Sequence, residues 1–179
     1  ILLKSGFLSE AQDKFIPLAK NANILWADGI KRIPENDSSV DVIYSCHMVE
    51  HLEKLDVASF FKEARRILKS GGIIRLAVPN IKYQVDNYLK DGDADKFIES
   101  THLTRKKPKT IIAKIKYLII GDRNHQWMYD GKSLCNLLSS AGFEEPRILE
   151  TGSTTIPDPG MLDLKERSPE SVFVEAVNA

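Results

Sequence analysis

Residues 40–79 read VDVIYSCHMVEHLEKLDVASFFKEARRILKSGGIIRLAVP, and the fold class turns on this stretch. Val40 to Ser45 is a short apolar run rich in β-branched and aromatic residues, which predicts a strand. Helical spacing follows. Val57, Phe60, Phe61, Ala64, Ile67 and Leu68 recur at one face of a 3.6-residue period, with Asp56 placed to cap the start and Gly71-Gly72 to end the helix in a left-handed residue. Ile73 to Val78 is a second apolar strand, closed by Pro79, which has no amide to give a ladder. Strand, helix and strand with short links make a right-handed crossover with parallel strands, so the chain is α/β.

The flanks extend this pattern. Asn23 to Ala27, NILWA, reads as a buried strand ending in the Asp28-Gly29 turn. Asn80 is placed to cap a helix whose apolar face is Ile81, Val85, Tyr88 and Leu89, with Gly92 as its stop. Asp130 to Ala141 carries Leu134, Leu137 and Leu138 into another helix ended by Gly142, and Ser171 to Val177 reads as a late strand. In an open parallel sheet, ligands bind outside the carboxyl ends of the strands. The informative residues are therefore Asp28-Gly29, Ser45-Cys46-His47 and Pro79-Asn80.

The bulk properties narrow the function only by exclusion. A chain of 179 residues fits one domain with a core of its own, and 25 basic residues balance 25 acidic ones. That balance gives no field to hold nucleic acid as an obligatory partner. Cys46 and Cys135, the only cysteines, form neither a disulfide framework nor a C-x-x-C pair, which suits a reducing cytoplasm. No apolar run approaches the roughly 20 residues of a membrane-spanning helix, so stable membrane insertion is not expected.

Two segments carry chemistry of their own. His47, Glu50 and His51 spell H-x-x-E-H, which on a helix holds zinc. Here the motif straddles a strand-to-helix turn, and the reading taken is that Glu50 and His51 hydrogen-bond near the helix start, with no metal. A metal-dependent hydrolase on these residues is the most distant alternative. Residues 102–120 are biased to positive charge through Arg105, Lys106, Lys107, Lys109, Lys114 and Lys116. The plain reading is a helical insertion or lid with a solvated basic face, spanning residues 81–126; the sharper one is a face for an anionic substrate or a membrane surface.

Taken in order, ILWADGIKRIPENDSSVDVIYSCHMVEHL, FFKEARRILKSGGIIRLAVPN and HQWMYDGKSLCNLLSSAGF resemble class I S-adenosylmethionine-dependent methyltransferases of the type-11-like group. Leu162 to Ala176, LDLKERSPESVFVEA, is similar to the tail of that group's small predicted bacterial members. The resemblance covers residues 23–179 and implies a Rossmann-like domain, mostly parallel, with helices on both faces and an antiparallel late strand. It also implies S-adenosylmethionine as cofactor and a small-molecule, sugar or lipid acceptor. Asp28 matches the position that accepts from the adenine amino group, with the amide of Gly29 beside it; the alternative is that Asp28 only makes the turn. Ser45, Cys46 and His47 match the cofactor-binding segment, whose backbone passes the ribose and methionine part. His47, at the end of the same segment, and the distant His125 are the candidates for base or substrate orientation, because imidazole titrates near working pH. Trp127 and Tyr129 are placed to shape the acceptor pocket.

The family's glycine-rich loop and the acid after the second strand have no counterpart here; the earliest glycine is Gly6. Backbone amides approach a cofactor closely only where no Cβ intervenes. The expectation is a single domain over residues 1–179 whose N-terminal strand and glycine loop, about 20–40 residues, precede Ile1. The competing reading is a methyltransferase-like module that binds without transferring a methyl group.

Overall fold

A computed structural model describes residues 17, 21–22, 24–104, 110–111 and 124–179. The basic positions Arg105, Lys106, Lys107, Lys109, Lys114 and Lys116, and Gly6, lie outside the described residues. Among the described residues, strands β1 (Val40–Cys46), β2 (Leu68–Pro79), β3 (Phe143–Leu149) and β4 (Ser171–Asn178) form a sheet in the order β1-β2-β4-β3. The helices among these residues are α1 (Lys54–Ile67), α2 (Ile81–Asp91), α3 (Ala94–Ser100) and α4 (Gly131–Ser140), with a 3-10 turn at Val49–His51.

The β1-α1-β2 unit is the crossover expected from residues 40–79, and β1 pairs parallel with β2. The "mostly parallel" expectation needs refinement. β4 runs antiparallel to both β2 and β3. Three strands therefore point one way and β4 alone reverses, yet β4 lies between two of them and makes both of its own pairings antiparallel.

Side-chain alternation sorts the sheet into two faces. On one, Ile74, Leu76 and Val78 of β2 and Val172, Val174 and Ala176 of β4 meet Phe60, Phe61 and Ala64 of α1 and Leu134 and Leu138 of α4 in a single buried cluster. Phe61 meets Phe143 edge to face at 6.1 Å, and Arg65 of α1 donates to Asn178 at 3.1 Å, so α1 and α4 share this face. Each fully buried apolar side chain contributes about 1.5–3 kcal/mol. The other face is covered over β2 and β4 by the 150–170 connection. There Arg75 and Glu175 pair at 2.6 Å, and Arg75 also donates to Ser153 O at 2.9 Å.

Several local expectations change. Ile24 to Ala27 makes no ladder, and Trp26 is 89% exposed rather than buried. A strand needs a neighbour, and β1 is the edge of the described sheet on that side. Asp56 lies in the first turn of α1, with Glu53 at the cap position. Gly71-Gly72 does not end α1: the helix stops at Ile67, and both glycines lie inside β2. They serve an irregular register in which Val40 faces Leu68 but Val42 faces Ile73. A Cβ on Gly72 would meet the carbonyl oxygens of Lys69 and Asp41 at 3.0 and 3.1 Å. The cap of α2 forms as read, with Asn80 accepting from Lys82 N, and α4 is capped by Asp130, which accepts from Ser133 N.

Candidate active site at the strand ends

Because β1 and β2 are parallel, their carboxyl ends emerge on the same edge, and the β1 end carries Ser45, Cys46 and His47. His47 N donates to Ala77 O at 2.8 Å, carrying the ladder one residue past the strand. The His47 backbone then turns into the left-handed region, φ 47°, which a non-glycine residue occupies at a cost and often at a functional site. The turn brings Glu50 under the ring. His47 Nδ1 lies 3.2 Å from Glu50 Oε1, and His47 Nε2 lies 3.1 Å from Ser171 Oγ. An ionised carboxylate only accepts, so Nδ1 carries the proton, and Nε2 accepts from the serine hydroxyl. A nitrogen with a lone pair is thus held by a buried acid behind it and aimed by a hydroxyl in front.

Ser45 is 6% exposed, and its Oγ has no hydrogen-bond partner among the described residues. Such an orphan is a donor and acceptor ready for a polar ligand passing the end of β1. Cys46 is half-buried, and burial pushes its thiol up, which makes it a small neutral filler rather than a nucleophile. Its sulfur shares a neighbourhood with His47 and Glu166.

Asp28 and Gly29 form a turn of their own, with Gly29 beside α1. The Asp28 carboxylate accepts from Ile30 N at 3.3 Å and pairs with Lys31 at 3.0 Å, while its carbonyl closes the turn to Lys31 and Arg32. The Lys31 hydrogen bond holds its carboxyl below the usual range. Gly29 packs beside the Phe60 ring of α1. Asp28 thus does the turn-making that Asp-Gly suggested, and as a partly exposed carboxylate it keeps acceptor capacity.

His125 lies on the Glu50 side of His47, with its own contacts to other residues. Its Nδ1 lies 2.8 Å from Thr101 O, and its ring meets His51 and His102 edge to face at 5.1 and 5.3 Å. Burial holds its imidazole below its ordinary pKa. The segment reaches the site through its backbone: Gln126 N and Trp127 N donate to Glu50 O at 2.7 and 3.2 Å, and Ile81 N donates to Tyr129 O at 2.8 Å. Trp127 and Tyr129 both line a cleft of about 300 Å³ with Lys54, whose ammonium sits 4.8 Å from the indole centroid; Tyr129 is buried there and Trp127 exposed. A larger hollow of about 420 Å³ lies in the groove between α1 and α4, away from the strand ends.

Sequence reasoning missed Ser171 and Arg167, whose Nη1 is 3.5 Å from His47 Nδ1. The signal for Ser171 was available: a late strand antiparallel to β2 must begin where β2 ends, and Ser171 faces Pro79.

Residues 4–76 match the family model described as a methyltransferase domain. No curated protein sequence matches the chain. Among solved structures, a SAM-dependent methyltransferase and possible histamine N-methyltransferase from Thermotoga maritima is 18% identical, with a TM-score of 0.51 over 92% of this chain and 70% of that one. A SAM-dependent methyltransferase from Methanosarcina mazei is 19% identical, with a TM-score of 0.52 over 92% of this chain and 77% of that one. One from Aquifex aeolicus is 14% identical, with a TM-score of 0.51 over 96% of this chain and 65% of that one. In its matched segment and in its Rossmann-like α/β fold, the chain resembles the class I S-adenosylmethionine-dependent methyltransferases of the type-11-like group.

Proposed function

We propose that the protein is an S-adenosylmethionine-dependent methyltransferase acting on a small-molecule, sugar or lipid acceptor. The observation that carries this reading is the assembly at the end of β1, where His47 is held between Glu50 and Ser171. S-adenosylmethionine supplies a methyl group on a positively charged sulfur. Asp28, the Gly29 amide, Ser45 and Cys46 are the residues that would hold it, with the orphan Ser45 Oγ as a polar contact.

The protein's own work is alignment, since an in-line displacement rewards positioning of donor and acceptor above all. Where the acceptor must lose a proton, His47 Nε2 receives it, and Glu50 stabilises the imidazolium that results. Ser171 holds the ring in place until the acceptor arrives. The Arg167 guanidinium beside His47 is paired with Glu166 at 3.4 Å, so both signs of charge meet there. His125 acts through its neighbours, as a positioning residue for the segment that borders Glu50.

Calorimetric titration of the full chain with S-adenosylhomocysteine tests the reading. Saturable micromolar binding supports it, and His47→Ala should reduce turnover much more than that binding. Absence of binding would leave a methyltransferase-like module.

A further inference from the structure

Glu50, His51 and His125 each offer one ligand atom, and these atoms lie within 4.8 Å of one another. The two imidazoles are already prepared. His51 Nδ1 lies 3.2 Å from Asn124 O, and His125 Nδ1 lies 2.8 Å from Thr101 O. A carbonyl oxygen only accepts, so each Nδ1 carries its proton and each Nε2 presents a lone pair. Tying Nδ1–H to a backbone carbonyl is how proteins fix the tautomer and orientation of a metal-binding histidine.

The carboxylate gives an independent sign. Glu50 is 1% exposed; Oε1 accepts from His47, while Oε2 is buried and has no partner among the described residues. Buried carboxylate oxygens are normally satisfied, and one left bare beside unprotonated imidazole nitrogens calls for a cation. His51 Nε2 is 3.9 Å from Glu50 Oε1, close enough for an ion between them and long for a direct hydrogen bond.

We propose that Glu50, His51 and His125 bind a divalent transition-metal ion of the zinc class, with at least one coordination position left for water or a ligand. Two imidazoles and a carboxylate suit such an ion better than magnesium or calcium, which favour oxygen donors. The ion clips two separate stretches together, the Val49–His51 turn and the 124–127 segment that borders the strand ends, and the bond from His125 to Thr101 O ties the end of α3 to them. The His47–Glu50 hydrogen bond then also orients the carboxylate ligand, so the clip and the base share one residue. This site does not depend on the methyltransferase reading.

The test uses the full chain purified without an affinity tag and stripped with a chelator. Zn²⁺ is titrated in competition with a chromophoric chelator, and Co²⁺ is followed by its visible absorption. The expected result is one equivalent bound, with Glu50→Gln and His125→Gln each weakening binding at least about 10-fold and Cys46→Ser leaving it unchanged. On the unmodified protein, nitrogen-15 NMR should show the Nε2 signals of His51 and His125 shifting on Zn²⁺ addition, which keeps the proposal testable even where a variant fails to fold. Unchanged His51 and His125 signals, or equal affinities for folded variants and parent, would overturn it. So would a cobalt–thiolate band lost in Cys46→Ser, which would assign the ion to Cys46, His47 and Glu166 instead.

Discussion

Glu50, almost fully enclosed, accepts from the His47 ring across 3.2 Å, and the same ring reaches Ser171 Oγ at 3.1 Å on its other side. A buried acid behind an imidazole fixes which nitrogen faces outward. His47→Ala is expected to lower kcat by about 100-fold or more where the acceptor must be deprotonated. The affinity for S-adenosylhomocysteine should change by less than about 10-fold, or 1.4 kcal/mol. Equal losses in both would mean that His47 merely supports the wall. Glu50→Gln should lower kcat as well and alter the tautomer of His47, read by nitrogen-15 NMR.

Glu63 and Arg66, one turn apart on α1, pair at 2.6 Å, and Glu63 also accepts from Ile33 N at 2.7 Å. The Arg66 hydrogen bond pulls the Glu63 carboxyl down from 4.5 to about 2. A group whose pKa falls on folding contributes stability above its unfolded pKa and loses it as pH falls through the folded one. The contribution is therefore complete above 4.5 and fades between there and about 2. Glu63→Gln should cost about 2 kcal/mol in urea unfolding at neutral pH, and the difference from the parent should shrink on acidification. A pH-independent gap would assign the loss to packing.

The legible part of the fold was the part written in periodicity. The β1-α1-β2 unit, the Asn80 cap, the helix that carries Leu134 and Leu138 and the late strand each follow from a pattern a few residues long. What was illegible depends on partners distant in sequence. Ile24 to Ala27 has the composition of a strand but no ladder in the described sheet. Phe143–Leu149 is a strand despite Glu144, Glu145 and Pro146, because it is an edge with a register shift between Glu144 and Arg147. In the site, Ser45, Cys46 and His47 could be located from the rule that strand ends bind ligands. The role of Glu50 could not, because it arises from a left-handed turn at His47 that no local signal announces.

Gly142 follows α4 with φ 88°, and a Cβ there would run into the guanidinium of Arg65, its Cζ at 3.1 Å. Arg65 is committed to Ala141 O at 3.3 Å and Asn178 Oδ1 at 3.1 Å, tying α1 to the start of β3 and the end of β4. Gly142→Ala is expected to cost about 1–2 kcal/mol from the backbone alone, with more where Arg65 is displaced. Denaturant midpoints give the measurement. Arg65→Ala in the same background should then cost less than it does in the parent, because its bonds are already disturbed.

Arg75 and Glu175 face each other across β2 and β4 with essentially no exposure, and Thr154 and Thr155 complete the acceptor sites of the carboxylate at 2.6 and 2.5 Å. Burial pushes the Glu175 carboxyl up, but hydrogen bonds from Thr154, Thr155 and Arg75 overcome it and hold the group below its ordinary value. Taking charges out of water offsets most of what such a pair gains, whereas removing one partner strands the other. Glu175→Leu should therefore cost about 3–5 kcal/mol in chemical denaturation, and Arg75→Met a similar amount. The double variant should recover much of that loss, since neither charge then remains buried. If the losses simply add, the pair acts as separate packing elements, and the 150–170 connection is held by its backbone bonds.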